Sequence, residues 1–320
     1  MNNLSIVIPY YNGKDYIFNC INSILNSYDR SQKKCFFEII VVIDSPEEYL
    51  NNNIDIIACY DNPAFLKVVV NERNSGVAAS RNKGLALSQY DYITYIDQDD
   101  QVNYNYFSII ENQLSDQYHC IIYNGYWHFL ENDSYSKLFF IKPDLSFYAN
   151  ITNHFTLWTP GLMIINKSKV HISDYFIDVS PEFKGCDDWA AVLNLLLMYP
   201  AIQFKYIDKP LFIFNRHSKN FSNDVVQMLS SHIAVLRYFK KKVNHDMQNV
   251  INRLIEIKEF QIKRESEQLS RKTILKKHLR IYSLYLYYKW MYRRYPLYKI
   301  RKTWHTFFAR IDINEICIYL

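Results

Sequence analysis

Three carboxylates follow a run of apolar residues in the segment YITYIDQDDQV, residues 92–102. Asp97, Asp99 and Asp100 repel one another when ionised, so the cluster needs compensation. Acids with this spacing begin a helix, bind a hard cation, or form a solvated turn. Mg²⁺ and Mn²⁺ are usually held by one or two carboxylates, with the phosphates of a substrate completing the shell. A nucleoside diphosphate would therefore fit the cation alternative.

Other candidate binding residues lie at the ends of predicted strands and on a predicted helix. Asp44 could accept the imide N–H of a uracil or cap the turn before Pro46. Pro9 and Tyr10 either present the backbone to a base or only end the first strand. Arg81 could contact a phosphate or pair with a core acid.

Predicted strands and helices alternate through the first hundred residues. The strands are predicted at 4–11, 36–44, 66–72 and 92–97, and the helices at 14–28 and 76–88. This alternation predicts a parallel α/β sheet, in which ligands bind beyond the carboxyl ends of the strands. Asp44 and Asp97 lie at such ends. Neither GxGxxG nor GxxxxGK[ST] follows the first strand, which disfavours a dinucleotide enzyme and a P-loop NTPase.

The charge of the chain changes near residue 224. Residues 1–224 carry 17 Lys/Arg and 25 Asp/Glu, a net charge of −8, whereas residues 225–320 carry 20 and 7, a net charge of +13. The basic region has helical periodicity, and its residues 279–308 interleave aromatic residues with Lys and Arg. They either pack as helices with a solvated basic face or lie on an anionic membrane surface. No nucleic-acid-binding signature is present, so we expect no nucleic acid partner.

Cysteine usage and hydropathy indicate the compartment. The six Cys residues form no CxxC pair, which argues for a reducing cytoplasm and against a zinc or disulfide framework. No secretory signal is visible, and no window approaches the roughly 18–20 apolar residues of a membrane span. We therefore expect a cytoplasmic protein, peripheral at the inner face of the membrane through residues 279–308.

Four segments together carry a family resemblance. SIVIPYYN, EIIVVIDS, NSGVAASRNKG and YITYIDQDD, in this order, resemble the nucleotide-sugar half of glycosyltransferase family 2. Three later segments extend the resemblance: TPGLMIINKS (159–168), CDDWAAVLNLLLMYP (186–200) and FIFNRHSKNFS (212–222). The resemblance implies an α/β protein of the GT-A fold, with a Rossmann-like, mostly parallel sheet flanked by helices. It also implies a transfer that inverts the anomeric centre.

The predicted domains follow from the resemblance and the charge boundary. Residues 1–224 would form the GT-A domain, with a nucleotide-sugar half at 1–102 and an acceptor half at 103–224. Residues 225–320 would form the C-terminal, basic, aromatic-rich helical extension.

The resemblance also implies roles for individual residues. The nucleotide-binding set would be Pro9, Tyr10, Asp44, Arg81 and Asp97. Asp99 would bind Mn²⁺ or Mg²⁺ directly. Arg216 and His217 would reach the diphosphate or the metal, although a His in a polar loop is more often only solvated.

The acceptor side would be built from acids and aromatic residues. Asp188 would be the general base with Asp187 beside it, although acids before an apolar helix also cap it. Trp189 would wall the acceptor site. Trp158 could stack on a sugar or belong to the core.

The chain departs from the family pattern at two places. Family members usually show two adjacent acids and then Gly-Ser after the second strand, where this chain has Ile43, Asp44, Ser45 and Pro46. The family's Glu-Asp pair is Asp-Asp at 187–188, which leaves open which carboxylate is the base.

Taken together, the residues and the resemblance predict a metal-dependent, inverting glycosyltransferase. It would move a hexose or N-acetylhexosamine from a UDP-sugar to a bacterial surface glycan, such as lipooligosaccharide or capsule, or to a lipid-linked oligosaccharide. One alternative is a sugar-nucleotidyltransferase, although PYYNGKDY lacks the expected Gly-rich loop. Another is a catalytically dead membrane-docking scaffold, in which Asp99 or Asp188 should be missing.

Overall fold

The computed structural model describes most of the chain up to residue 268 and a short segment beyond it. The described residues are 3–51, 55–60, 63–131, 133–137, 144–153, 157, 159–171, 175–177, 185–218, 220–268, 280–283 and 285. Trp158 and nearly all of 279–308 therefore lie outside the described residues, and the expectations for them stay predictions.

The chain forms two compact units that interleave along the sequence. The sheet unit comprises Met1–Phe140, Leu157–Asp178 and Ala201–Asn220, and the helical unit comprises Ile141–Thr156, Val179–Pro200 and Phe221–Leu320. The predicted domain division at residue 224 stays a prediction.

The described residues of the sheet unit form nine strands. They are β1 (Leu4–Tyr10), β2 (Phe37–Ile43), β3 (Leu66–Val70), β4 (Tyr92–Tyr95), β5 (Gln101–Val102), β6 (Cys120–Phe129), β7 (Ser134–Lys137), β8 (Met163–Asn166) and β9 (Phe204–Arg216). Their order is β3-β2-β1-β4-β8-β6-β9-β5, with β7 paired to β6. The sheet is thus continuous across both halves of the predicted transferase domain.

The first four strands are parallel, as the sequence predicts. β1 pairs with β2 and β4, and β2 pairs with β3. Every residue of β1 and β2 is buried, because a parallel sheet is covered on both faces. Pro9 is tolerated in β1 since the pairing with β4 ends at Val7, so no ladder donor is required on that side.

The remaining strands make the sheet mixed. β8 is antiparallel to β4 and β6, β6 and β9 are parallel, and β5 is antiparallel to β9. The two-residue strand β5 matters most for the site, because it places the acid loop (residues 97–100) beside the end of β9. The α/β fold class is confirmed.

Among the residues that the structure describes, the sheet unit has four α-helices: α1 (Ile17–Asp29), α2 (Pro46–Asn51), α3 (Val77–Leu87) and α4 (Tyr106–Ile110). α1 buries Ile17, Ile21 and Ile24, one face at helical spacing. α3 approaches β1 closely because Gly84 faces Val7, and a Cβ at position 84 would lie 2.3 Å from a Val7 methyl carbon. The helix predicted at 14–28 is present as α1, which begins three residues later, and the helix predicted at 76–88 is present as α3.

The helical unit contains α5 (Phe147–Asn153), α6 (Asp187–Met198), α7 (Val225–Lys240) and α8 (His245–Ser266). Asp224 caps α7 by accepting the N–H of Gln227 at 2.9 Å, and Asn244 caps α8 by accepting the N–H of Met247 at 3.0 Å. Within the described residues, no helix combines the length and apolarity needed to cross a membrane.

Candidate active site

The polar residues of the sheet unit meet where β1, β2 and β4 end. The register aligns Tyr10 with Ile43, so Asp44 follows β2 at the point where β1 ends. β4 leaves the sheet with a last bond from the Ile96 N–H to the Val7 carbonyl, 3.0 Å long. The acid loop therefore emerges at the same edge, as parallel strands require.

Asp44 is buried and receives three hydrogen bonds. Its Oδ1 accepts from the side chain of Asn71 at 2.7 Å and from the Ser75 N–H at 2.8 Å. Its Oδ2 accepts from the Gly76 N–H at 2.8 Å. Gly76 is the N-cap residue of α3, so Asp44 satisfies a donor at the start of that helix. Asp44 therefore holds the start of α3, the helix that carries Arg81, at the end of the sheet where β1, β2 and β4 finish.

Arg81 joins α3 to the acid loop. Its side chain is only 5% exposed, and one Nη2 hydrogen bond goes to Oδ1 of Asp97. The guanidinium also lies over the ring of Phe176, 5.1 Å from the ring centroid. The ion pair that the sequence offered as one alternative for Arg81 is present.

Gln98, which lies between Asp97 and Asp99, connects the acid loop to the segment after β1. Its amide donates to the Tyr11 carbonyl and accepts the Tyr11 N–H, both at 2.8 Å. Gly13 leaves room for this amide, because a Cβ there would lie 2.0 Å from Gln98 Oε1. The segment after β1 is therefore held against the acid loop.

Asp99 meets residues from the end of β9. Its Oδ2 lies 3.0 Å from Nε2 of His217 and 3.3 Å from Nδ2 of Asn220. The His217 ring stacks on Tyr16, with centroids 4.8 Å apart. Burial raises the pKa of the Asp99 carboxyl, the charge of Asp97 raises it further, and His217 opposes both effects.

Asp100 is the most buried of the three acids, at 1% exposure. Its Oδ1 accepts the N–H of Asn215 at 2.9 Å, and its Oδ2 has no hydrogen-bond partner among the described residues. Burial raises the pKa of Asp100 well above its ordinary value, and the charges of Asp99 and Asp97 add to the rise. Removing these charges from water without offset is unfavourable.

The remaining nucleotide candidates hold positions around this edge. Pro9 is a buried residue of β1, and the buried Tyr10 donates its hydroxyl hydrogen to Glu48 at 2.9 Å. Burial raises the pKa of Tyr10, and Glu48 contributes to the rise. Arg216 ends β9, where its carbonyl accepts the N–H of Leu130 at 3.0 Å. It lies between Asn215 and His217, both of which contact the acid loop.

The two acids of the predicted base are the first residues of α6, in the helical unit. Cys186, the N-cap residue, has a left-handed backbone with φ of 62°. Oδ1 of Asp188 accepts the N–H of Trp189 at 2.6 Å, so this acid satisfies one donor in the first turn of the helix. Asp187 and Asp188 thus lie within the first turn of α6 and not at its N-cap, and their base role stays a prediction.

Trp189 belongs to the core of the helical unit. It is 2% exposed, its indole N–H donates to the Asn150 carbonyl at 2.9 Å, and its ring meets His232 edge-on at 5.5 Å. Nearby, burial lowers the pKa of Lys258 to about 8. Burial also lowers the pKa of His232, and Lys258 contributes to that decrease. The acceptor-wall role of Trp189 stays a prediction.

A divalent cation fits the acid loop if a substrate supplies most of its ligands. Within the part of the chain that the structure describes, no three His, Cys, Asp or Glu side chains are grouped to hold a metal ion. Asp99 and His217 nevertheless offer one oxygen and one nitrogen donor in direct contact. Arg81 pairs with Asp97, so a cation held by Asp99 would offset negative charge that this pair leaves in the acid loop.

Several residues that build this site were not predicted from the sequence. They are Tyr16, Gln98, Asn215 and Asn220. The two Asn residues flank the predicted Arg216 and His217 in the segment NRHSKN, so polar residues around a candidate His were a usable signal. Tyr16 and Gln98 gave no comparable signal, since each acts through a contact with a distant part of the chain.

Comparison with known proteins identifies the family. The model of glycosyl transferase family 2 matches residues 5–171, just over half of the chain. The protein therefore belongs to glycosyl transferase family 2, which confirms the resemblance.

Relatives and solved structures agree with this assignment. Glycosyltransferase GlyG of Streptococcus pneumoniae is 23% identical over 248 residues, 72% of this chain and 79% of that protein. The chain spans less than half the length of several other curated relatives it matches. Residues 1–349 of S. aureus TarS, solved with UDP-GlcNAc, match with a TM-score of 0.59 and 18% identity, over 89% of this chain and 79% of that one. The likeness confirms the GT-A fold.

A second solved structure is more distant. The mannosyltransferase PcManGT of Pyrobaculum calidifontis, in complex with GDP-Man and Mn²⁺, matches with a TM-score of 0.50 and 12% identity. The match covers 73% of this chain and 63% of that one.

Proposed function

We propose that the protein transfers a hexose or N-acetylhexosamine from a UDP-sugar to a hydroxyl of a bacterial surface or lipid-linked glycan. The reaction is metal-dependent and inverts the anomeric centre. The observation that carries the proposal is the meeting of Asp44, Arg81, Asp97 and Asp99 at one sheet edge of a family 2 glycosyltransferase. The UDP-GlcNAc complex of TarS supports the choice of donor class.

The uridine side is assigned to the ends of β1 and β2. Pro9, Tyr10 and Asp44 border the base. Oδ2 of Asp44 receives one bond from the Gly76 N–H, and a carboxylate oxygen accepts more than one hydrogen, so an imide N–H can join without displacing α3. Arg81 occupies Oδ1 of Asp97, and we assign the other oxygen of Asp97 to a ribose hydroxyl.

The diphosphate side is assigned to the acid loop and the end of β9. Asp99 and His217 would hold Mn²⁺ or Mg²⁺, with diphosphate oxygens completing the shell. When bound, the cation would neutralise charge on the departing diphosphate. Arg216 is assigned to the same diphosphate. Buried in this loop, Asp100 holds β9 in place through the N–H of Asn215.

Asp188 is assigned as the general base, with Asp187 beside it. It takes the proton of the acceptor hydroxyl while that oxygen bonds to the anomeric carbon and the bond from this carbon to UDP breaks. One base suffices for such a single displacement. The hydrogen bond from the Trp189 N–H orients the carboxylate, and a base role is compatible with this bond. Trp158 and Trp189 are assigned to the acceptor side.

The membrane contact proposed for residues 279–308 depends on the sequence alone. Lys and Arg interleaved with aromatic residues suit an anionic membrane surface, where a lipid-linked acceptor would be found. We expect full-length protein to pellet with anionic liposomes and a chain truncated near residue 270 to stay in solution. Equal pelleting would disprove this contact.

The donor assay tests the whole proposal. The protein is incubated with a panel of UDP-sugars and Mn²⁺, with GDP-mannose as the control donor, and nucleotide release is followed. We expect release of UDP from at least one UDP-sugar. Silence with every donor, together with no Mn²⁺-dependent binding of UDP, would exclude the proposed function.

A further inference from the structure

We propose that His128 is a positioning residue that fixes the acid loop through Asn215. The inference depends on the proposed function, because the loop carries the carboxylates assigned to the nucleotide and the cation. His128 lies on β6, directly opposite Asn215 of β9 in their parallel register. Neither residue is among those that would touch the donor.

The side chain of Asn215 has one defined orientation. Its Nδ2 donates to the Asp99 carbonyl at 2.6 Å, and its backbone N–H donates to Oδ1 of Asp100 at 2.9 Å. Because a carbonyl oxygen only accepts, the NH₂ end of the amide must face the loop. Oδ1 of Asn215 therefore faces the other way, toward His128.

The His128 ring supports that orientation from the opposite side. Its Nδ1 lies 2.9 Å from Oδ1 of Asn215, and since this oxygen accepts, Nδ1 carries the hydrogen. Its Nε2 lies 2.8 Å from Oδ1 of Asp133. The ring also stacks on Tyr135, with centroids 4.2 Å apart and an angle of 3° between the planes. These contacts from three directions define the ring position.

Loss of the His128 donor has a direct consequence for the loop. Asn215 is only 4% exposed, so its Oδ1 would lose a partner in a buried place. Rotation of the amide would then turn Oδ1 toward the Asp99 carbonyl, where two acceptors repel. His217, two residues further on, contacts the carboxylate of the same Asp99. The contacts that Asn215 and His217 make with Asp99 therefore depend on the order of the chain at the end of β9.

Three substitutions separate positioning from bulk stability. His128→Asn keeps a donor near the place of Nδ1, His128→Gln places its amide near Nε2 instead, and His128→Leu removes both. The dissociation constant of UDP is measured by calorimetry with and without Mn²⁺. We expect His128→Leu and His128→Gln to weaken Mn²⁺-dependent binding about tenfold or more, the typical effect of losing a residue that orients a metal ligand. His128→Asn should stay within about threefold of the wild type.

Binding of UDP without Mn²⁺ provides the control, because a merely structural defect would weaken it as well. We expect it to be unchanged in the three variants. If His128→Leu fails to fold, the comparison of His128→Asn with His128→Gln carries the test. If wild type and all variants bind UDP equally well with Mn²⁺, the role of His128 is overturned, but the proposed function is not. A wild type that binds no UDP with Mn²⁺ would overturn the proposed function and this role with it.

Discussion

Nε2 of His217 lies 3.0 Å from the carboxylate of Asp99, although 118 residues separate them in the chain. The same ring stacks on Tyr16, which precedes α1. One imidazole therefore joins the start of α1, the acid loop and the end of β9. Such a cluster exists only in the folded chain, and it places one nitrogen and one oxygen donor together.

Asp99→Asn tests the assigned cation ligand. The substitution keeps the shape of the side chain and removes its charge, so we expect UDP release to fall at least about a hundredfold and Mn²⁺-dependent UDP binding at least about tenfold. Asp29→Asn is the matched control, since Asp29, the last residue of α1, is 72% exposed and pairs with Lys33. Normal transfer by Asp99→Asn would show that Asp99 is not a metal ligand.

Asp188→Asn and Asp187→Asn distinguish the two candidate bases. An Asn at position 188 can still accept the Trp189 N–H, so the start of α6 should remain intact. We expect Asp188→Asn to abolish transfer while the dissociation constant of UDP changes less than about twofold, and Asp187→Asn to retain measurable transfer. The reverse order of activities would make Asp187 the base.

Gly13→Ala and Gln98→Ala should act through one shared contact. A Cβ at position 13 would overlap the Gln98 amide and displace it from Tyr11, so each substitution should raise the KM for the donor several-fold. Because both remove the same bonds, the double substitution should resemble Gln98→Ala alone. Additive effects in steady-state kinetics would show that Gly13 and Gln98 act independently.

Lys258 predicts a defined change of stability with pH. Burial lowers its pKa from 10.5 to about 8, so between these values the unfolded chain binds more protons than the folded one. The free energy of unfolding is therefore highest above pH 10.5, where Lys258 is neutral in both states. It decreases as the pH falls toward about 8, and below that value the full cost of burying the charged Lys258 is present. At pH 7 the folded protein holds a buried cation, and Lys258→Met should raise the free energy of unfolding by up to roughly 3 kcal/mol.

Urea unfolding at pH 7 and pH 9.5 checks this prediction. The difference in stability between Lys258→Met and the wild type should shrink at the higher pH. Lys263→Met, an exposed position on the same helix α8, should show no such trend. A stability difference that is absent at pH 7 or grows with pH would contradict the buried-cation account.

The sequence predicted local structure well and distant pairing poorly. β1 and β2 are apolar runs bounded by polar residues, so their bounds in the structure, Leu4–Tyr10 and Phe37–Ile43, lie within a residue of those predicted. The two-residue strand β5 has no such pattern, and it forms only because Gln101 pairs with Ile213, far along the chain. The antiparallel strands of the mixed sheet depend on pairings of this kind.

The candidate site likewise combines residues that local patterns predict with residues that only distant pairing brings together. Asp44 and Asp97 were placed at the ligand edge because parallel strands deliver their carboxyl ends there. The contacts of Asn215 and Asn220 with the acid loop depend on the pairing of β5 with β9, which no local pattern encodes. The Asp-Gln-Asp spacing likewise did not reveal that Gln98 binds the backbone of Tyr11.

A crystal structure with UDP and Mn²⁺, in which the metal is located by its anomalous scattering, shows whether Asp99 and His217 bind the cation. We expect one strong peak within coordination distance, about 2.0–2.2 Å, of Asp99 Oδ2 and His217 Nε2, with diphosphate oxygens as further ligands. A metal peak away from both residues, or UDP bound away from Asp44 and the acid loop, would exclude this site as the place where donor and cation bind.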